Sequence, residues 1–161
     1  MAGDWESFFV AQVGASAALT GLVFVALSIN LERIIGSATL VGRAGEAITL
    51  LILPVVVGLI ALVPDLATRT TGAWILGVAV AGFVGLNRFV FRARTDAWQR
   101  SPRQWISRLV LVQVAILPTV IGGVVLLGGS SSGFDWVAVG AAASLVVGIL
   151  DAWVLLVEIL R

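Results

Sequence analysis

Five long apolar runs, joined by short segments of breakers or charge, set the limits on what this chain can fold into. A bilayer core of about 30 Å is crossed by roughly 20 helical residues at about 1.5 Å rise each. Phe8–Leu31, Ala47–Val63, Gly72–Phe91, Ile106–Leu127 and Trp136–Leu160 are read as the spans, the second being the shortest. Between them lie "ERIIGSATLVGRAGE", "PDLATRTT", "RARTDAWQRSPRQW" and "GGSSSGFD", each with the charges or breakers of a connection. Only 12% of residues are charged and mean hydropathy is +1.10, where a soluble domain carries about 25% charge. The expectation is all-α: one polytopic domain over residues 1–161, a five-helix transmembrane bundle in the plasma membrane.

Arginine placement gives the bundle a direction. With five crossings, the first and third connections and the C-terminus share one side. That side holds Arg33, Arg43, Arg88, Arg92, Arg94, Arg100, Arg103, Arg108 and Arg161, leaving only Arg69 on the other. Short cytoplasmic loops collect basic residues, so the N-terminus is expected outside and the C-terminus inside. Trp5, Trp74, Trp98, Trp105 and Trp136 fall at span ends or in connections, as an interfacial belt requires, while Trp153 lies deeper. "MAGDWESFF" lacks the basic start of a secretory signal, so the first apolar run is read as a retained span.

Missing residue types remove much chemistry. The chain has no Cys, His, Tyr or Lys, and its only Met is the first residue. Disulfides, thiolate or imidazole metal sites, His or Cys haem ligation and Lys Schiff bases are therefore excluded. No metal, cofactor or enzymatic activity is expected.

Asp151 is read as the one acidic residue well inside a span, about one to two turns from the inner end of the last helix. A carboxylate there must be paired, hydrated or protonated. Arg88 and Asn87 on the third span, Arg108 and Gln113 on the fourth, and Asn30 closing the first fall at a similar level. Together they form an expected inner polar layer, with Arg88 or Arg108 as partner to Asp151. Asp151 then serves either as a structural clasp or as an ion or proton site. Gln12, Ser16 and Thr20 form a separate stripe in the outer half of the first span, suited to interhelical or same-helix hydrogen bonds.

Lipid gives apolar helices no preference for one another, so close backbone approach decides packing. Ala73, Gly77, Ala81 and Gly85 place a small residue at every fourth position of the third span. Gly140, Ser144, Gly148 and Ala152 do so on the fifth, and Gly14, Ala18 and Gly21 form a shorter version on the first. Internal packing is the expected use of any single groove, and three grooves on a small chain lead to an expected homo-oligomer.

"ILPVVVG" (Ile52–Gly58) returns as "ILPTVIG" (Ile116–Gly122). Pro54 and Pro118 each remove a helix hydrogen bond and are expected to kink their helices, with Gly58 and Gly122 one turn on. Both runs point the same way, so spans one–two and three–four read as a parallel repeat, an arrangement known in transporters.

"GASAALTGLVFVALSINLERI" in the first span resembles the opening helix of small, uncharacterised multi-pass membrane proteins of high-GC bacteria. The likeness covers about one sixth of the chain, implies no activity and assigns no site residue. The functional expectation is an oligomeric channel or transporter-like component, resting on the paired kinks and the polar layer around Asp151. The alternative is a non-enzymatic scaffold or accessory subunit packing through small-residue faces. Expected partners are the bilayer and, at the arginine-rich 88–108 connection, anionic lipid rather than nucleic acid.

Overall fold

A backbone in lipid has no water to bond, so each apolar run closes its hydrogen bonds within its own helix. The computed structural model describes residues 3–92 and 102–160. They form six helices: α1 (Gly3–Ile29), α2 (Leu31–Ile35), α3 (Ala38–Ala61), α4 (Thr68–Arg92), α5 (Pro102–Leu127) and α6 (Gly133–Leu160). Five of them, all but α2, are long and apolar enough to cross a membrane.

The first connection differs most from the sequence expectation. Residues between the first two spans, read as a loop, instead form α2 and the opening turns of α3. α3 begins at Ala38 rather than at Ala47. Asn30 ends α1, its side-chain amide donating back to the Ala26 carbonyl at 2.9 Å. Ser37, extended at φ −138°, precedes the new helix as its N-cap residue. No proline falls between Ser37 and Ala47, where the apolar run begins, so the helix passes through Arg43 and Glu46 and carries them into its body.

α3, α4, α5 and α6 pack in succession and close on one another as a four-helix ring. α1 lies outside it, mainly against α3 and slightly against α6. The core is filled by buried Leu50, Val57, Ile75, Leu86, Ile116 and Val147. α1 contributes Phe9, Gln12, Ser16 and Leu27, one stripe at helical spacing. Gln12 donates to the Ser16 hydroxyl at 2.9 Å, and Thr20 donates to the Ser16 carbonyl at 2.7 Å. Two members of that polar stripe, Gln12 and Ser16, are thus buried against the bundle.

The helices of the ring approach too closely for side chains at several glycines. A Cβ at Gly123 of α5 would stand 2.9 Å from the Leu76 Cα of α4. One at Gly140 of α6 would stand 2.7 Å from the Thr119 backbone nitrogen of α5. Such approach supplies dispersion contacts where no hydrophobic drive exists between helices.

Pro54 and Pro118 both sit inside helices that run in the same direction, α3 and α5. Their following glycines meet different neighbours. Gly58 faces Gln12 and Val13 of the preceding α1, whereas Gly122 faces Gly133 and Val137 of the following α6. The two Pro–Gly units are therefore not equivalent in what they hold.

Candidate functional site

Charge inside the bundle gathers at one end, where α3 and α5 begin and α6 finishes. On α3, Arg43, Glu46 and Leu50 share a stripe by i, i+3, i+7 spacing; on α6, Asp151, Leu155 and Glu158 do so by i, i+4, i+7. The stripes face each other because α3 and α6 are packed neighbours. Arg43 reaches across the interface: its Nη2 lies 3.3 Å from Asp151 Oδ1, and its Nη1 bonds Glu158. Arg108, near the start of α5, pairs with Glu46 of α3. Glu46 is only 1% exposed, and the Asp151 side chain 10%.

The expected pairing is corrected here. Asp151 is held by Arg43, not by Arg88 or Arg108, and Glu46 is a second acid inside a span. Arg108 is taken up by Glu46, while Arg88 is exposed on α4. The pairs still form one electrostatic unit, since each buried carboxylate is attracted by both Arg43 and Arg108 and the two repel each other.

The other expected members of the layer bond deeper or apart. Gln113 donates to Asn87 Oδ1 at 2.9 Å, joining α5 to α4, and Asn87 donates to its own helix at Phe83. Asn30 stays on the Ala26 carbonyl. Arg33 of α2 donates to the Ile159 carbonyl at 3.0 Å, meeting the carbonyl end of α6 where a cation is favoured. Four of these contacts join different helices: Arg43 and Arg33 to α6, Arg108 to α3, and Gln113 to α4.

The polar layer expected from sequence does not include Arg43, Glu46 or Glu158. The available signal was register. Arg43 and Glu46 continue the buried stripe of α3 backward past the apparent start of the apolar run, and Glu158 repeats Asp151 two turns on.

Three carboxylates face two guanidinium groups, and Asp151 Oδ2, Arg43 Nε and Arg108 Nε are buried without a hydrogen-bond partner among the described residues. Such an array fastens helices and resists loss of either partner, because an unpaired charge would then be left buried. Of the arginine-rich connection, residues 93–101, with Arg94, Trp98 and Arg100, lie outside the described residues, as does Arg161.

The small-residue faces divide. Gly140, Ser144, Gly148 and Ala152 of α6 are buried, with Ser144 donating to the Ala115 carbonyl of α5 at 3.0 Å. Ala73, Gly77 and Ala81 of α4 are exposed, and a Cβ at Gly77 or Gly85 would meet nothing within 4 Å. Gly14 and Gly21 of α1 are equally open. No family model, curated protein or solved structure matches this chain.

Proposed function

We propose that the chain is a non-enzymatic membrane scaffold or accessory subunit that assembles with copies of itself through the outward small-residue face of α4. The observation that carries this reading is the open α4 stripe. Its spacing is that of a helix-docking groove, yet it is unfilled within the chain while the matching stripe of α6 is filled. The ion pairs support it as well, since they tie α3, α5 and α6 into a stable platform. With nine of ten arginines on one side of five crossings, the N-terminus is outside and the C-terminus inside the plasma membrane. Exposed Arg33, Arg88 and Arg103 then meet anionic headgroups at the inner surface.

A mass measurement in native-lipid particles tests this. The wild type is expected as a defined oligomer, and a Gly77→Ile, Gly85→Ile double variant as a folded single chain. A monomeric wild type refutes the reading.

The channel or transporter reading draws on the surplus carboxylate of the ionic cluster and the unpartnered Asp151 Oδ2. Ion flux into liposomes that the wild type supports and Asp151→Asn abolishes, with folding intact, would replace the scaffold reading by this one.

A further inference from the structure

Three atoms of the ionic cluster have hydrogen bonds still to make, and the walls around them limit what can reach them. Arg43 Nε shares a guanidinium with Nη2, and Asp151 Oδ2 shares a carboxylate with Oδ1, so both flank the 3.3 Å contact between the two residues. Arg108 Nε stands likewise beside the ion pair with Glu46. Asp151 is attracted by Arg108 as well as by Arg43, which makes the three atoms one site. All are buried without a hydrogen-bond partner among the described residues, and the Asp151 side chain is only 10% exposed. A polar atom left dry in this way forfeits its hydration with nothing in return.

The cluster is open at one end and shut at the other. Toward the end where α6 finishes, Glu158 follows Asp151 by two turns and shares Arg43 with it, and its side chain is 41% exposed. In the opposite direction, the residues one turn on from Asp151, Glu46 and Arg108 are Val147, Leu50 and Val112. All three are buried in one apolar core. Beyond that layer the Ser144 hydroxyl is already engaged by the Ala115 carbonyl at 3.0 Å.

The unpartnered atoms are one acceptor and two donors, so they call for a molecule that both donates and accepts. An anion would meet three carboxylates. A metal ion would need acidic side chains gathered in a group of three, and none exists among the described residues. Water meets both demands, and buried water is held where two to four polar partners converge. A water bridge also suits a direct contact of 3.3 Å, longer than a tight charge-assisted bond of about 2.7–2.9 Å.

We infer that ordered water occupies the ionic cluster, bridging Asp151 Oδ2 to the Nε groups of Arg43 and Arg108, and that the layer of Val147, Leu50 and Val112 ends this aqueous pocket. The hydrated clasp is internal to one chain and does not depend on assembly through α4.

Water-edited solid-state NMR of the isotope-labelled full chain in bilayers tests this, since polarisation passes from water only to protons beside it. The expected result is transfer to Arg43 Nε and Arg108 Nε on the timescale of exposed Arg33, with none to the amides of Val112, Ala115 and Val147. The competing arrangement is dry, with Arg43 turning its Nε–Nη2 fork onto both oxygens of Asp151. No water transfer at Arg43 Nε, with a direct correlation between Nε and the Asp151 carboxylate carbon, would establish that arrangement and overturn the bridge. Transfer to Arg43 Nε but not to Arg108 Nε would overturn the shared site. Transfer reaching Ala115 and Ser144 would overturn the apolar limit.

Discussion

α4 and α6 carry the same sequence device, a small residue at every fourth position, and put it to opposite ends. On α6 the stripe turns inward. Gly140 admits Thr119 of α5, and Gly148 admits Leu50 and Leu51 of α3. On α4 the stripe turns away from the ring, and the glycines that pack inward lie off the stripe: Gly72 against Leu126 and Leu127, and Gly82 against Leu53. Spacing thus marks a face able to accept a backbone, but the rest of each helix decides whether that face is used inside the chain. On α6, Asp151 and Glu158 anchor the helix to Arg43 and hold its small face toward α3 and α5. α4 has no ion pair among the described residues, and its large apolar side chains Ile75, Leu86 and Val90 take the inward side.

The contrast breaks first on charge. Arg43→Ala leaves Asp151 of α6 unpaired beneath the surface, at an expected loss of about 3–5 kcal/mol. Arg88→Ala, on the outward side of α4, should stay within about 0.5 kcal/mol. Reversible unfolding in mixed micelles reads both, and equal losses would dissolve the distinction between the two faces.

Steric load gives the next largest difference. Gly140→Leu must displace backbone of α5, an overpacking of about 1–3 kcal/mol or more, while Gly77→Leu enters open space. The same unfolding assay should rank them so. The polar bridge between α5 and α4 is the smallest effect: Gln113→Leu should cost about 0.6 kcal/mol, typical of an interhelical hydrogen bond in a membrane. A loss several times larger would mean that α4 depends on polar anchoring as much as α6 does.

Much of this architecture was legible in sequence, because length and hydropathy report directly on spanning helices. Five long apolar helices follow from the five runs. The start of α3 did not, since hydropathy falls at Arg43 and Glu46 although the helix continues through them; their neutralising partners lie on α5 and α6, distant in sequence. For the same reason Asp151 was noticed but its partner was not. Arg43 is 108 positions away, and nothing local distinguishes it from Arg88 or Arg108. The direction of each small-residue stripe was equally hidden, because it depends on which other face of the helix is the more apolar. The Pro–Gly units look alike in sequence, yet Gly58 and Gly122 receive different neighbours because α5 lies between two ring helices and α3 also carries α1.

The α4 face is tested most directly by single cysteines, since the natural chain has none. Placed one at a time from residue 73 to residue 85 in native membranes, they are exposed to a mild oxidant. The scaffold account predicts disulfide-linked pairs of chains with maxima at Ala73→Cys, Gly77→Cys, Ala81→Cys and Gly85→Cys, and none for Gly140→Cys on α6. Cross-linking without that four-residue period, or absent along α4 altogether, would contradict it.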